Sequence, residues 1–168
     1  MGMPARRRTL ETVEPTVHGE DALAGIEAVK IRLENGAIVT HRVADELAVP
    51  EDPRQLEIAA RKSSARLAYW LYQTELALDA VRTLERELDT LRGILDFRYR
   101  ANFMESEGDY REGMVSAAVN IDRDAIQLRK KLDHARKQHG LLRSVSKAME
   151  RRDFVLGQLL DKQRKAFQ

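Results

Sequence analysis

Leu67, Trp70, Thr74, Ala77, Val81, Leu84, Leu88, Leu91 and Leu95 fall alternately three and four residues apart, and Thr74 is the only polar residue among them. That spacing draws a narrow apolar seam down one face of a helix, the pattern of helices that pack lengthwise on partners. Asp52-Pro53 is a helix start, with aspartate at the cap, proline in the first turn and Glu57 soon after. From there the helical character runs to about Met104. A helix of ~50 residues is about 75 Å long at ~1.5 Å per residue. A compact globule of this chain length has a radius of gyration of only about 15 Å. The seam must therefore be covered by a folded-back helix, by other subunits, or by both.

The rest of the 168-residue chain supplies the returning helix and a small extension. Glu105-Ser106-Glu107-Gly108-Asp109-Tyr110-Arg111-Glu112-Gly113 has the acidic, glycine-bearing composition of a turn. Helical pattern resumes near Met114, with Ile121, Ala125, Leu128, Leu132 and Ala135 in heptad phase. His139-Gly140 predicts a break or kink. A last helix follows it, with Leu141, Val145, Ala148, Val155, Leu156, Leu159 and Leu160 apolar. Before the long helix, Ala28–Leu33 alternates apolar with basic, Glu34-Asn35-Gly36 is a turn signal, and Ala37–Thr40 follows, together a β-hairpin pattern. Two strands alone are barely stable in water, so the hairpin must dock on something. Glu46–Pro50 reads as linker.

These features predict an all-α fold. A long antiparallel, coiled-coil-like helical hairpin carries a small N-terminal β-hairpin extension and assembles as a homo-oligomer. The divisions are residues 1–20 as a disordered arm, 21–50 as the accessory hairpin and linker, and 51–168 as the helical domain. In the arm, Arg6-Arg7-Arg8 is either a nucleic-acid contact or a solubilising tail.

Charged residues make up 33% of the chain and aromatics 5%, which suits long solvated helices better than a thick core. With no cysteine, disulfides, thiolate nucleophiles and cysteine-bound zinc are excluded. No apolar run approaches the ~20 residues that span a bilayer, and the basic start lacks the apolar stretch of a secretory signal. A soluble intracellular protein with no membrane contact is expected. Enzymatic chemistry is not: His134 and His139 are five apart rather than the four of a helical zinc pair, and no phosphate-binding glycine loop or nucleophile elbow occurs. Neither a cofactor nor a metal is expected. Glu105, Glu107 and Asp109 do not have calcium-loop spacing.

Net charge is only +2, so basic function has to come from local patches. Two stand out. Arg92, Arg98 and Arg100 interleave with Phe97, Tyr99 and Phe103 at the end of the seam. Arginines that track phosphates and aromatics that stack on bases are the combination of sequence-tolerant single-strand binding. Phe97 and Phe103 are equally explained as the last core residues of the seam, but Phe97 and Tyr99 cannot both face inward. From Arg129 to Arg152 there are nine Lys/Arg against Asp133 and Glu150, a local charge of +7. Such a face either binds nucleic acid in a salt-sensitive way or is a solvated flank facing the acidic first helix. The candidate DNA-binding residues are Arg92, Phe97, Arg98, Tyr99 and Arg100, with Arg129, Lys130, Lys131, Arg136 and Lys137.

The sequence resembles the T-even phage recombination mediators, the UvsY family. The resemblance starts at Tyr69-Trp70-Leu71, where the family has serine-lysine-tryptophan-leucine, and is strongest at Leu91-Arg92-Gly93-Ile94-Leu95-Asp96-Phe97, similar to leucine-lysine-alanine-arginine-leucine-aspartate-tyrosine. It continues through Asp122-Arg123-Asp124 to Arg152-Asp153-Phe154-Val155-Leu156, and covers about residues 66–167. It implies an all-helical protein that forms a hexameric or heptameric ring and binds single-stranded DNA. Such a protein loads a phage recombinase onto DNA covered by single-strand-binding protein, in recombination and repair in the cytoplasm of the infected bacterial host. Of the motif's two DNA-binding basic positions, the first matches Arg92 and the second is Ile94. Arg98 and Arg100 lie about a turn to a turn and a half further on. A coiled-coil adaptor or virion scaffold without nucleic-acid binding explains the heptads and charged faces as well.

Overall fold

The computed structural model describes residues 27–32 and 37–166. The arm at 1–20, the Asn35-Gly36 turn signal and Phe167 lie outside the described residues. Two strands, β1 (Ala28–Arg32) and β2 (Ile38–Arg42), precede four helices: α1 (Val43–Leu47), α2 (Pro53–Glu107), α3 (Glu112–Ile121) and α4 (Arg123–Ala166). The long helices α2 and α4 pack against each other, the helical hairpin that the seam demands. The chain divides into two compact units. One is formed by the segment up to Glu75 together with Gly140 onward, the other by Leu76–His139.

In the first unit, β1 and β2 pair antiparallel in the register Ala28↔Arg42 and Ile31↔Val39. Their alternation buries Val29 and Ile31 on one face, which joins the apolar interior that an isolated hairpin lacks. Glu46, expected in a linker, belongs to α1. That short helix is held by buried Val43, whose N–H donates to the Glu27 carbonyl at 3.1 Å. His41 ties β2 to both helices that follow: its Nδ1 lies 3.1 Å from Glu46 Oε1, its Nε2 3.3 Å from the Tyr69 hydroxyl, and its ring 5.1 Å from that of Trp70. Desolvation and then the Glu46 charge raise the Tyr69 pKa above its ordinary value. The cap expected at Asp52 is present, with Oδ1 accepting the Gln55 N–H at 2.9 Å. The seam of this unit consists of Leu56, Ser63 and Trp70 on α2, and Leu142, Val145, Met149 and Leu156 on α4, all buried. Besides Ser63 and Gln73, this unit buries the polar side chains of Thr74, Ser146 and Arg152. The Thr74 hydroxyl donates to the Trp70 carbonyl and lies 2.9 Å from Ser146 Oγ. Arg152, 7% exposed, donates through Nε to the Ala48 carbonyl at 3.0 Å. Burial, and after it the nearby Arg66, disfavours its charged form.

In the second unit, Val81, Leu88, Leu132 and Ala135 form one cluster, and Leu95, Val115, Val119 and Ala125 another. Fully burying each leucine or valine contributes about 1.5–3 kcal/mol, which outweighs the weak propensities of the flanking polar residues. Every member of the Leu67–Leu95 series is buried or half-buried. Gly108 ends α2 at φ +71°, a left-handed position that suits glycine, with its N–H donating to the Met104 carbonyl.

The returning helix departs from its sequence pattern in three places. First, the chain breaks at Asp122, separating α3 from α4, and Ile121 is consequently 75% exposed. The break is chemical: Asp122 Oδ1 accepts the N–H groups of Asp124 at 2.9 Å and Ala125 at 3.3 Å, an N-cap that starts α4 anew. Second, α4 runs through His139-Gly140 without interruption. The ~1 kcal/mol penalty of an interior glycine is overcome by the buried Gln138 and Leu142 on either side. Third, Val155 is 41% exposed, because the true rhythm passes through Met149, Arg152 and Leu156. An arginine at a seam position conceals that rhythm from a reading based on apolar residues.

Candidate nucleic-acid interface

All ten candidate residues lie in the second unit, on α2 and α4. The aromatic–arginine group at the end of α2 is divided by its own folding. Leu95 faces the core, and Tyr99, one turn later, packs against the same cluster with Phe103. The Tyr99 hydroxyl donates to Asp122 Oδ2 at 2.9 Å. That bond, and then the two backbone N–H groups of the cap, hold the Asp122 carboxyl below its ordinary range, while the same bond raises the Tyr99 pKa. Tyr99 therefore fastens the end of α2 to the start of α4.

Arg100 is equally engaged. Its Nε donates to Asp96 Oδ2 at 2.7 Å, Nη1 to the Tyr110 hydroxyl at 3.2 Å, and Nη2 to Glu112 Oε2 at 2.8 Å. Its guanidinium also lies 5.3 Å from the centre of the Tyr110 ring. These bonds, those to Asp96 and Tyr110 foremost, raise its pKa. A guanidinium so saturated braces the α2–α3 turn and has few donors left for a phosphate.

Arg92, Phe97 and Arg98 remain. Arg92 reaches Asp89 only at 3.9 Å, an exposed pair of little energetic weight. With Gly93, Asp96, Ser116, Val119 and Asn120 it lines an open groove of about 370 Å³ between α2 and α3. Arg98 is exposed. Phe97 is 77% exposed, on a stripe with Ile94, Ala101 and Met104 on the outer side of α2.

On α4 the division recurs. Arg129 donates to the Asn120 carbonyl and side chain at 3.1 and 2.9 Å, anchoring the end of α3, and Arg136 pairs with Glu85 of α2 at 2.8 Å. Lys130, Lys131 and Lys137 are exposed, and among the described residues they make no ion pair. No hydrogen bond or ion pair among the described residues joins the α2 group to these lysines.

The structure adds one residue to the set. Arg123 is exposed, likewise without an ion pair among the described residues, and precedes Lys130 and Lys137 by one and two heptads. Residues seven apart differ by only ~20° around a helix, so the three cations form a stripe along the outer flank of α4. The seven-residue spacing was the available signal. Neighbouring Asp122 and Asp124 obscured it by making Arg123 look like part of a mixed-charge run.

Among the described residues, no group of three or more histidine or acidic side chains is placed to hold a metal ion. No helix there is long and apolar enough to cross a membrane. No protein-family model, curated protein or solved structure matches this chain.

Proposed function

We propose that this protein binds single-stranded DNA without sequence preference through the outer flank of α4. On this reading it serves as a phage recombination mediator, self-associating into a ring that helps a recombinase displace single-strand-binding protein in the host cytoplasm. The observation that carries the reading is the Arg123–Lys130–Lys137 stripe, three exposed cations in register without an acidic partner among the described residues. A stripe of this kind binds a polyanion by releasing its counterions, and repetition around a ring multiplies weak contacts into tight ones. The mediator role itself rests on the resemblance to the UvsY family.

The test is fluorescence anisotropy of labelled oligo-dT against salt concentration. Changing Arg123, Lys130 and Lys137 together to glutamine should weaken binding and flatten the slope of log affinity on log salt by about 2, at ~0.7 per lost contact on a single strand. Wild-type protein that binds no oligo-dT at low salt overturns the proposal.

One observation favours the second reading, a coiled-coil adaptor or virion scaffold. Ile94 is 53%, Phe97 77% and Met104 50% exposed, and with Ala101 they repeat every three to four residues on one side of α2. An apolar stripe on a helix otherwise rich in charge suits a protein partner better than a phosphate backbone. Ile94 stands where the family's second basic residue would be, so this stretch of α2 is better fitted to assembly than to DNA.

A further inference from the structure

The first unit carries a second set of exposed cations, on the part of α4 after Gly140. Arg143, Lys147 and Arg151 are exposed at i, i+4 and i+8 and, among the described residues, form no ion pair. At ~100° per residue they spread over about 80° of the helix, and Phe154 falls inside that arc. Phe154 is 68% exposed. Gln158 extends the same line by one turn, and Glu150 borders the arc about 20° outside Arg143. The seam of this unit runs through Val145, Met149, Arg152 and Leu156, so Phe154 contributes nothing to the core.

Among the described residues only Phe97 and Ile121 are more exposed large apolar side chains, so the Phe154 ring is open to a partner. Its neighbours indicate what that is. Three cations rising by ~6 Å per step match the charge of an extended phosphodiester backbone, and the ring offers a face for an unpaired base. This is the combination expected of sequence-tolerant single-strand binding, and here no acid among the described residues occupies the arginines as it does Arg100 on α2.

We infer that Arg143, Lys147, Arg151 and Phe154 form a further binding site for single-stranded nucleic acid on the first unit, the basic residues holding phosphates and Phe154 stacking on a base. The inference rests on the single-strand-binding reading above and adds a site that reading does not use.

The experiment uses the full chain and labelled oligo-dT, followed by anisotropy over a series of salt concentrations. Phe154→Ala should weaken binding about ten-fold or more and leave the salt slope unchanged, because the ring releases no counterions. Phe154→Leu, which keeps apolar bulk but loses the aromatic face, should be weakened similarly. Arg143→Gln/Lys147→Gln/Arg151→Gln should flatten the slope by about 2. Binding to a duplex of the same length should not respond to Phe154→Ala, since paired bases are closed to the ring. Because all four side chains are exposed, far-UV circular dichroism should be that of wild type for each variant. The inference is overturned if both Phe154 variants bind oligo-dT as wild type does while the Arg123/Lys130/Lys137 variant is weakened. That pattern leaves the general reading standing and assigns Phe154 to a protein contact. Absence of wild-type binding at low salt overturns both.

Discussion

The buried Thr74–Ser146 pair should behave as a single unit in unfolding experiments. Thr74 is 9% and Ser146 3% exposed, their hydroxyl oxygens are 2.9 Å apart, and Thr74 also donates to the Trp70 carbonyl. The polar pair thus shares the buried interior of the first unit with Trp70, Val145 and Met149. Thr74→Val keeps the shape and strands the Ser146 hydroxyl. An abandoned buried hydroxyl costs about 1–3 kcal/mol, reduced where the serine turns back to its own helix carbonyl, so about 1.5 kcal/mol is expected. Ser146→Ala should cost about 1 kcal/mol, because Thr74 keeps its bond to Trp70. The double variant should cost no more than about 1.5 kcal/mol, since no unsatisfied hydroxyl remains. That leaves a coupling of about 1 kcal/mol, within the range for residues in contact. Trp70 is the only tryptophan and is fully buried beside the pair, so urea unfolding followed by its fluorescence reports on this unit directly. Protein concentration must be held fixed, because any self-association adds to apparent stability. Strictly additive single effects, or single variants as stable as wild type, would show that the two hydroxyls do not depend on each other.

Two further outcomes follow from the second unit. Asp122 has its carboxyl lowered by Tyr99 and by the cap, so its contribution is complete above the ordinary value of 3.8 and is lost as pH falls below that. Thermal melts of Asp122→Asn should therefore lie below wild type at neutral pH and converge with it in acid; a constant gap from neutral pH to well below 3.8 would refute this. Gly108→Ala forces a side chain into φ +71°, where a Cβ meets nothing within 4 Å, so the cost is conformational alone, about 1 kcal/mol by chemical denaturation.

Much of the architecture was legible from spacing. The Leu67–Leu95 series and the alternation at Val29 and Ile31 each place a buried stripe where the structure has one, and the Asp52 cap places the start of α2. What escaped was polar. Asp122 breaks the returning helix through its side chain's hydrogen bonds, which no hydropathy pattern records. Arg152 and Ser146 fill seam positions because each finds a partner across the unit, Ala48 or Thr74. In the candidate site, residue type singled out Tyr99 and Arg100, yet the identity of Asp122, Asp96 and Glu112 decides that both are braces. Sequence proximity could not reveal that Asp122 or Glu112 would meet them.

The distribution of charge on the two long helices argues that Arg143, Lys147 and Arg151 are not there for folding. Where α2 needs help it pairs acids with bases four residues on, Glu57 with Arg61 at 2.7 Å and Asp96 with Arg100 at 2.7 Å. This is the favourable order for an i, i+4 pair, worth about 0.2–0.5 kcal/mol. On α4 the positions four after Arg143 and four after Lys147 hold Lys147 and Arg151, so each rung repels the next. Like charges at that spacing destabilise a helix by a similar amount, and an acid at position 147 alone would turn both repulsions into attractions. Phe154 repeats the logic in apolar form, exposing a ring where a polar residue would serve folding equally well. Folding therefore gains nothing from this arrangement, which is the pattern the proposed single-strand site calls for.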